Sequence, residues 1–428
     1  MVPGNIRKTF LAATVCILTA VAFCNAPRTA NAELSTSSGV SKKTMEKRFQ
    51  TWQMALWRDA KAMGVSRKTF KTAFAGVTLD WSLPDLAEKK GKPKRQREFG
   101  SPGLYFGERQ IYALAQRGAA YRKRYGKTLA RIEQRYGVPG AIVLSVWGRE
   151  TAYGVAKIPH YAVRSLATLA FAGRRRDFFR KEVLAALQIL KDGHIARDKM
   201  RSSWAGAMGH TQMLPSQFLQ YAVDFNGDGK KDIWNNIPDA LASTANFLRQ
   251  KGWQPHLPWG YEVALPNNVN CALEGPDKRV PVATWKKRGV NRVAGRKYSQ
   301  RALGYPTSLL VPAGRYGPAF IVTKNFYVLK EYNESDVYAL FVGHVADRMG
   351  ANKSFITKWR KVPTYTRDRM KVVQTKMQKL GYNIGDTVDG LVGFRTRSAT
   401  GLYQLKYKLR QDCWPGAKFI KHLNKTAN

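Results

Sequence analysis

Acidic residues and cysteines are scarce in this 428-residue chain: 29 Asp+Glu stand against 72 Lys+Arg, and there are only 4 cysteines. The acid deficit leaves a formal net charge of +43, a field that draws polyanions. Nucleic acid is the usual inference from such a balance, but no recognition motif accompanies it, so no nucleic acid is expected as a partner. Also lacking are a glycine loop able to cradle phosphate and a cluster with zinc-ligand spacing. Nothing in the sequence asks for a redox cofactor, a nucleotide or a catalytic metal. Beyond the N-terminus no segment approaches the roughly 20 apolar residues of a membrane span, so the mature chain is expected to be soluble or peripheral.

The N-terminus itself reads as an export signal. Arg7 and Lys8 precede an apolar run from Phe10 to Phe23, and Ala30-Asn31-Ala32 forms a small-x-small cleavage site. Cys24 is not read as a lipid acceptor, because Phe23 sits where such motifs want a small residue. Removing residues 1–32 takes Arg7, Lys8 and Arg28, leaving about +40, and spares only Cys271 and Cys413. In an oxidising compartment these two either pair or stay as separate buried thiols; the sequence leaves both open. The expectation is an exported, periplasmic monomer, in reach of anionic wall or membrane surfaces.

With 44% hydrophobic residues the chain can build more than one core. Helical patterning covers Thr44–Phe74, with a turn at Gly64 and a new start at Ser66, and then Tyr121–Tyr136, Pro139–Tyr153, Ser165–Phe171, Asp177–Leu190 and Pro238–Gln250. Lys89 to Arg97 is a basic run without apolar periodicity, expected as a solvated loop. Strand-like segments are few, around Tyr261–Leu265 and Ala319–Thr323. The fold class is therefore mainly α (α+β). After Val362-Pro363, helices over Thr366–Leu380 and Thr396–Leu409 flank a Gly/Asp loop, which marks residues 362–425 as a small appended module.

Chemistry concentrates on Gly137–Gly154. Ile142, Val146 and Glu150 are spaced i, i+4, i+8, and Val143, Trp147 and Glu150 i, i+4, i+7, so the carboxylate falls on the apolar face of a helix. There it loses hydration, and its pKa rises toward what a general acid needs near neutral pH. A structural glutamate paired with an arginine is the bland alternative. Ser203–Ser216 is rich in glycine and alanine and then polar; it either lets a polymer approach the backbone, with Ser203 and Gln212 as hydrogen-bonding groups, or serves tight helix packing. Asp224, Asn226, Asp228, Gly229, Lys230 and Asp232 match positions 1, 3, 5, 6, 7 and 9 of a calcium loop, but position 12 is Asn235 where Glu is usual. An Asx-rich turn without metal is the alternative.

Gly148-Arg149-Glu150-Thr151, Ala205–Gly209 with Gln212, Asp224 to Asp232, and Tyr332–Tyr338, in this order across roughly 45–350, resemble the membrane-bound lytic murein transglycosylase B family. The resemblance implies a lysozyme-like catalytic domain over 33–355, with Glu150 as the catalytic acid/base. It also implies Ser203 and Gln212 near the reacting sugar, Tyr332 and Tyr338 lining the groove, and Asn333 beside them. A structural calcium would be held by Asp224, Asn226, Asp228, Lys230 and Asp239, with one extra residue before Asp239. Phe178 and Phe247 stand where the family often has tyrosine, which removes two hydroxyls from the groove. The tail, with Gln374, Asp389-Gly390-Leu391-Val392-Gly393 and Thr396-Arg397, resembles a three-helix peptidoglycan-binding domain. The implied reaction cuts the β-1,4 bond between N-acetylmuramic acid and N-acetylglucosamine and leaves a 1,6-anhydromuramoyl end. Its rivals are a hydrolase using a second acid such as Asp177, and a non-catalytic wall-binding scaffold.

Overall fold

The computed structural model describes residues 40–86 and 101–426. The export signal, Cys24 and the basic run Lys89–Arg97 lie outside the described residues.

Two capped helices open the described chain. Ser41 accepts from Thr44 N to start α1 (Lys42–Ala62), and Ser66 accepts from Thr69 N to start α2 (Arg67–Phe74). The segment expected as one helix over Tyr121–Tyr136 is instead two, α3 (Glu108–Arg124) and α4 (Gly126–Tyr136). Tyr125 leaves helical geometry at φ −100°, ψ 21°, just before a glycine, the poorest helix former after proline. Gly137 then closes α4 in the left-handed region at φ 70°.

The next helix, α5 (Gly140–Thr151), is buried on nearly every side. It is central, not amphipathic. α3, α4, α9 (Ile237–Gln250) and α13 (Asp336–Ala351) pack around it, and Ser145 Oγ donates to Val342 O at 2.7 Å to pin it against α13. α6 (Ala162–Ala172) and α7 (Arg176–Lys191) form a pair alongside, followed by α8 (Pro215–Tyr221). A short ladder of β1 (His160–Tyr161) and β2 (Arg201–Ser202) leads into the Ser203 loop.

More strand is present than expected. β3 (Gly260–Ala264), β4 (Val280–Pro281), β5 (Asn291–Arg292), β6 (Pro306–Leu310) and β8 (Ala319–Val322) form one sheet in the order β4-β6-β8-β3-β5, and β7 (Pro312–Arg315) follows β6. Its middle strand is buried on both faces, which explains its unbroken apolar sequence. Phe320, Val322 and Leu310 point into the helical core, while Ile321, Leu309 and Val263 meet Val282 and Trp285 of α10 (Val282–Lys287) in a second core. The short α11 (Gln300–Leu303) precedes β6, and α12 (Lys324–Lys330) leads into α13.

The tail has its own core, Met370, Val373, Met377, Tyr403, Phe419 and Leu423, formed by α14 (Arg367–Lys379), α15 (Phe394–Lys406) and α16 (Ala417–Thr426). Gln374, 1% exposed, organises its Gly/Asp loop: its Nε2 donates to Asp389 Oδ1, Leu391 O and Thr396 Oγ1, and its Oε1 accepts from Gly390 N at 2.7 Å. Gly390 is required there, since at φ 76° an added Cβ would lie 2.4 Å from Arg367 O.

The module is not a loosely appended unit. Cys271 and Cys413 form a disulfide, and Cys413 belongs to the sheet's core. Arg315 N donates to Asp412 O at 2.9 Å, and Ser398 Oγ to Ala272 O at 2.8 Å. Arg397 reaches out of α15 to carboxylates on the larger lobe.

Candidate active site

Glu150 sits in the last turn of α5, 7% exposed. After Thr151 the chain turns sharply through Ala152, Tyr153 and Gly154, all at positive φ, so the helix end is fixed by backbone geometry. Burial strips water from the carboxyl and pushes its pKa up to about 7; the Tyr338 hydroxyl, which donates to Glu150 Oε1, and the neighbouring Arg149 pull in the opposite direction. Tyr338 is 2% exposed, and burial followed by the nearby carboxylate drives its own pKa up, so it acts here as a donor.

Arg149 stands beside Glu150 in the Gly148–Thr151 motif, where sequence alone gives it no role. Its guanidinium lies 4.8 Å from the ring centre of Tyr105, 5.4 Å from Phe341 and 5.9 Å from Tyr338. This aromatic setting holds a cation beside Glu150 without pairing it to a carboxylate. The bland alternative of an arginine-paired structural glutamate therefore does not describe Glu150, whose hydrogen-bond partner is a tyrosine. Asp177 is exposed in the first turn of α7 and is not among the groups acting on Glu150.

The Ser203–Met213 loop folds back on itself, with Ser203 N bonded to Ala207 O at 2.7 Å and Met208 N to Met213 O at 2.8 Å. Ser203 Oγ accepts from Ala207 N at 3.1 Å. Gln212 is 3% exposed at φ 53°, an uncommon conformation for a non-glycine residue. Its Nε2 donates to Gly209 O at 2.9 Å, while its Oε1 is buried and has no hydrogen-bond partner. The glycines of this loop serve packing: a Cβ on Gly206 would meet Leu166 Cδ2 at 2.2 Å, and one on Gly209 would meet Ile233 O at 2.5 Å.

Tyr332 ties this loop to the glutamate. Its hydroxyl donates to Thr211 O at 2.9 Å, and Glu150 is among the groups that raise its pKa, behind burial. Beside Tyr332, Asn333 Oδ1 accepts from Ser335 N at 3.1 Å where α13 begins. Phe247 corrects the groove assignment. It is 1% exposed beneath Tyr332, at 4.8 Å, and Tyr221, at 4.9 Å, so its ring is core and offers no sugar a stacking face. Phe178 is half-buried under the guanidinium of Arg175 at 4.0 Å.

In the Asp224–Asp239 loop the donors are carboxylate, amide and carbonyl oxygens, which suit a hard cation. Asp224 Oδ1 accepts from Gly227 N at 2.7 Å and Asp228 N at 3.2 Å, and its Oδ2 from Gly229 N at 2.8 Å. Asp239 is fully buried, with Oδ1 accepting from Phe225 N at 2.9 Å and Oδ2 from Asp232 N at 3.0 Å. Oδ1 also accepts from Asn226 N at 3.3 Å, so Asp239 clasps the loop to the first turn of α9 and only its Oδ2 keeps a further lone pair. Among the described residues no group of three or more His, Cys, Asp and Glu side chains is gathered as a metal cluster.

Comparison with known proteins places this geometry. The family model described as the transglycosylase SLT domain matches residues 48–347. Membrane-bound lytic murein transglycosylase B of Escherichia coli (strain K12) is 33% identical over 232 residues, 53% of this chain and 61% of the relative. The chain thus spans about three fifths of that curated relative's length. Among solved structures, SltB3 from Pseudomonas aeruginosa in complex with NAG-anhNAM-pentapeptide is 36% identical with a TM-score of 0.79, over 88% of this chain and 99% of that chain. Soluble lytic transglycosylase SltB1 from the same organism is 26% identical with a TM-score of 0.58, over 71% and 99%.

Proposed function

The chain belongs to the transglycosylase SLT domain family, and from that premise we propose that it is a lytic transglycosylase of peptidoglycan. The observation that carries the proposal is the buried carboxyl of Glu150, poised at about 7 and held by Tyr338, with no second carboxylate among the described residues acting on it. Glycosidases ordinarily use two carboxylates unless the substrate assists. Here the substrate's own 6-hydroxyl supplies the nucleophile.

Neutral Glu150 gives its proton to the glycosidic oxygen as the bond to the muramoyl anomeric carbon breaks. The resulting carboxylate takes the proton of the 6-hydroxyl as that oxygen closes on the same carbon. Glu150 ends protonated, as it began, and no water enters. The Tyr338 hydroxyl stabilises the carboxylate between the two transfers. Gln212, whose buried Oε1 is unpaired, is assigned to orienting the sugar.

Around this chemistry we place three further roles. The α14–α16 module binds intact wall; the Asp224–Asp239 loop takes a structural calcium ion; and the exported chain works in the periplasm, with its charge of about +40 favouring anionic wall or membrane surfaces. The test is mass spectrometry of murein digested by the protein. A 1,6-anhydromuramoyl end, about 18 mass units lighter than the hydrolytic product, is expected; reducing ends would make the protein a hydrolase, and undigested murein would leave it a scaffold.

A further inference from the structure

Arg397 belongs to the Thr396-Arg397 step that closes the tail module's glycine loop, yet its side chain is 3% exposed and points away from the module. Its Nε donates to Glu274 Oε2 at 2.9 Å, and its Nη2 to Glu274 Oε1 at 2.7 Å. The same Nη2 donates to Asp336 Oδ2 at 2.9 Å, while Nη1 holds Val392 O of its own loop at 3.0 Å. Glu274 is wholly buried and also accepts from Val311 N at 2.9 Å; Asp336 receives Lys330 Nζ at 2.6 Å. One guanidinium therefore joins the tail's loop, the sheet lobe and the start of α13.

Asp336 is the first residue of α13, and Tyr338, two residues on, is the donor to Glu150. α13 is also the helix that Ser145 ties to α5. We propose that Arg397 is a positioning residue for Glu150: by fixing Asp336 it sets the first turn of α13, and so the Tyr338 hydroxyl against the carboxyl. The tail module is then part of the machinery that aligns the acid, and removing its arginine alters the chemistry even on substrates too short to touch its wall-binding face. A planar fork is needed to serve both carboxylates at once, which a lysine ammonium cannot reproduce in full.

This inference rests on the transglycosylase function, and the experiment separates the two. Full-length wild type, Arg397→Met, Arg397→Lys, Tyr338→Phe and the Arg397→Met/Tyr338→Phe double variant are assayed on a short soluble murein fragment below their unfolding temperatures. Arg397→Met should lower kcat by roughly tenfold with KM little changed, and Arg397→Lys should recover part of the loss. Losing the hydroxyl's grip raises the Glu150 pKa, so the limb of the kcat profile at which activity fades should move to higher pH in Tyr338→Phe and, less far, in Arg397→Met. The double variant should match Tyr338→Phe alone, because the arginine acts through the tyrosine.

Additive losses, or a lower melting temperature with kcat and its pH limb unchanged, would overturn the proposal and reduce Arg397 to a fastening. Should Arg397→Met fail to fold, Glu274→Gln/Arg397→Met removes both buried charges together. In that background the same cycle is measured: a double loss equal to that of Tyr338→Phe supports the proposal, and additive losses overturn it. A wild type that yields no anhydro product would instead sink the assigned activity.

Discussion

Replacing Glu150 by glutamine should make the protein more stable at alkaline pH while abolishing its chemistry. The carboxyl's pKa goes from 4.5 in the unfolded chain to about 7 in the folded one, mainly because burial excludes water. At 1.36 kcal/mol for each pKa unit, that difference corresponds to about 3 kcal/mol. The sign follows from proton occupancy: between those two values the folded protein keeps a proton that the unfolded chain has released, so stability falls as pH rises through this window. The penalty is absent below about pH 4.5 and complete above about pH 7. Glutamine cannot ionise, and its amide oxygen still accepts from Tyr338. Urea unfolding of both proteins at several pH values should therefore give a difference that is small near pH 4 and grows to about 3 kcal/mol in favour of the variant near pH 8. Cleavage by the variant should be lower by roughly 10²–10⁴-fold or more. A stability difference independent of pH, or a wild type more stable near pH 8, would refute the claim that burial holds Glu150 as an acid.

Three other outcomes follow from the packing. Cys271 and Cys413 are 142 residues apart, so replacing both by serine should lower stability by up to about 5 kcal/mol in the chain-entropy limit; an unchanged melting temperature would show that the bridge restrains little. Truncation after Val362 should not leave the larger lobe untouched, because Glu274 would lose Arg397 and remain a buried charge without its cation, a loss of about 3–5 kcal/mol. The truncated protein should melt well below the parent and pellet less with insoluble murein, and parental melting would refute the docking argument. Calcium titration should raise the melting temperature through the Asp224–Asp239 loop and a chelator reverse it; no response across the titration would leave that loop to its backbone amides alone.

What the sequence disclosed was governed by separation along the chain. Glu150 could be placed toward the core because Ile142, Val146 and Trp147 share its helix, and periodicity reports neighbours on one element. The capped start at Ser66 was legible for the same reason: the signal lies within three residues. Phe247 was assigned to the groove by its correspondence to a tyrosine of the resembled family, whereas burial under Tyr332 and Tyr221 is a property of three elements meeting. The break at Tyr125 was missed because charged and aromatic residues on either side keep the helical period intact across it.

The catalytic property itself is of the long-range kind. Spacing alone says that a glutamate is buried, but a buried glutamate is either an acid, an ion-pair partner or a liability, and the distinction depends on what it meets. Here the deciding groups are Tyr338, 188 residues away, and an arginine whose charge is spread over Tyr105 and Phe341 instead of a carboxylate. Had Arg149 met Glu150 in a close salt bridge, the carboxyl would have been pulled toward the ordinary range and would be a poor proton donor at neutral pH. The aromatic surround of the cation is thus what lets one helix turn carry adjacent Arg and Glu and still present an acid. An Arg149→Met variant tests this directly: removing the cation takes away a group that lowers the Glu150 pKa, so the limb at which kcat fades should move to higher pH, and a limb that stays in place would mean the cation does not reach the acid.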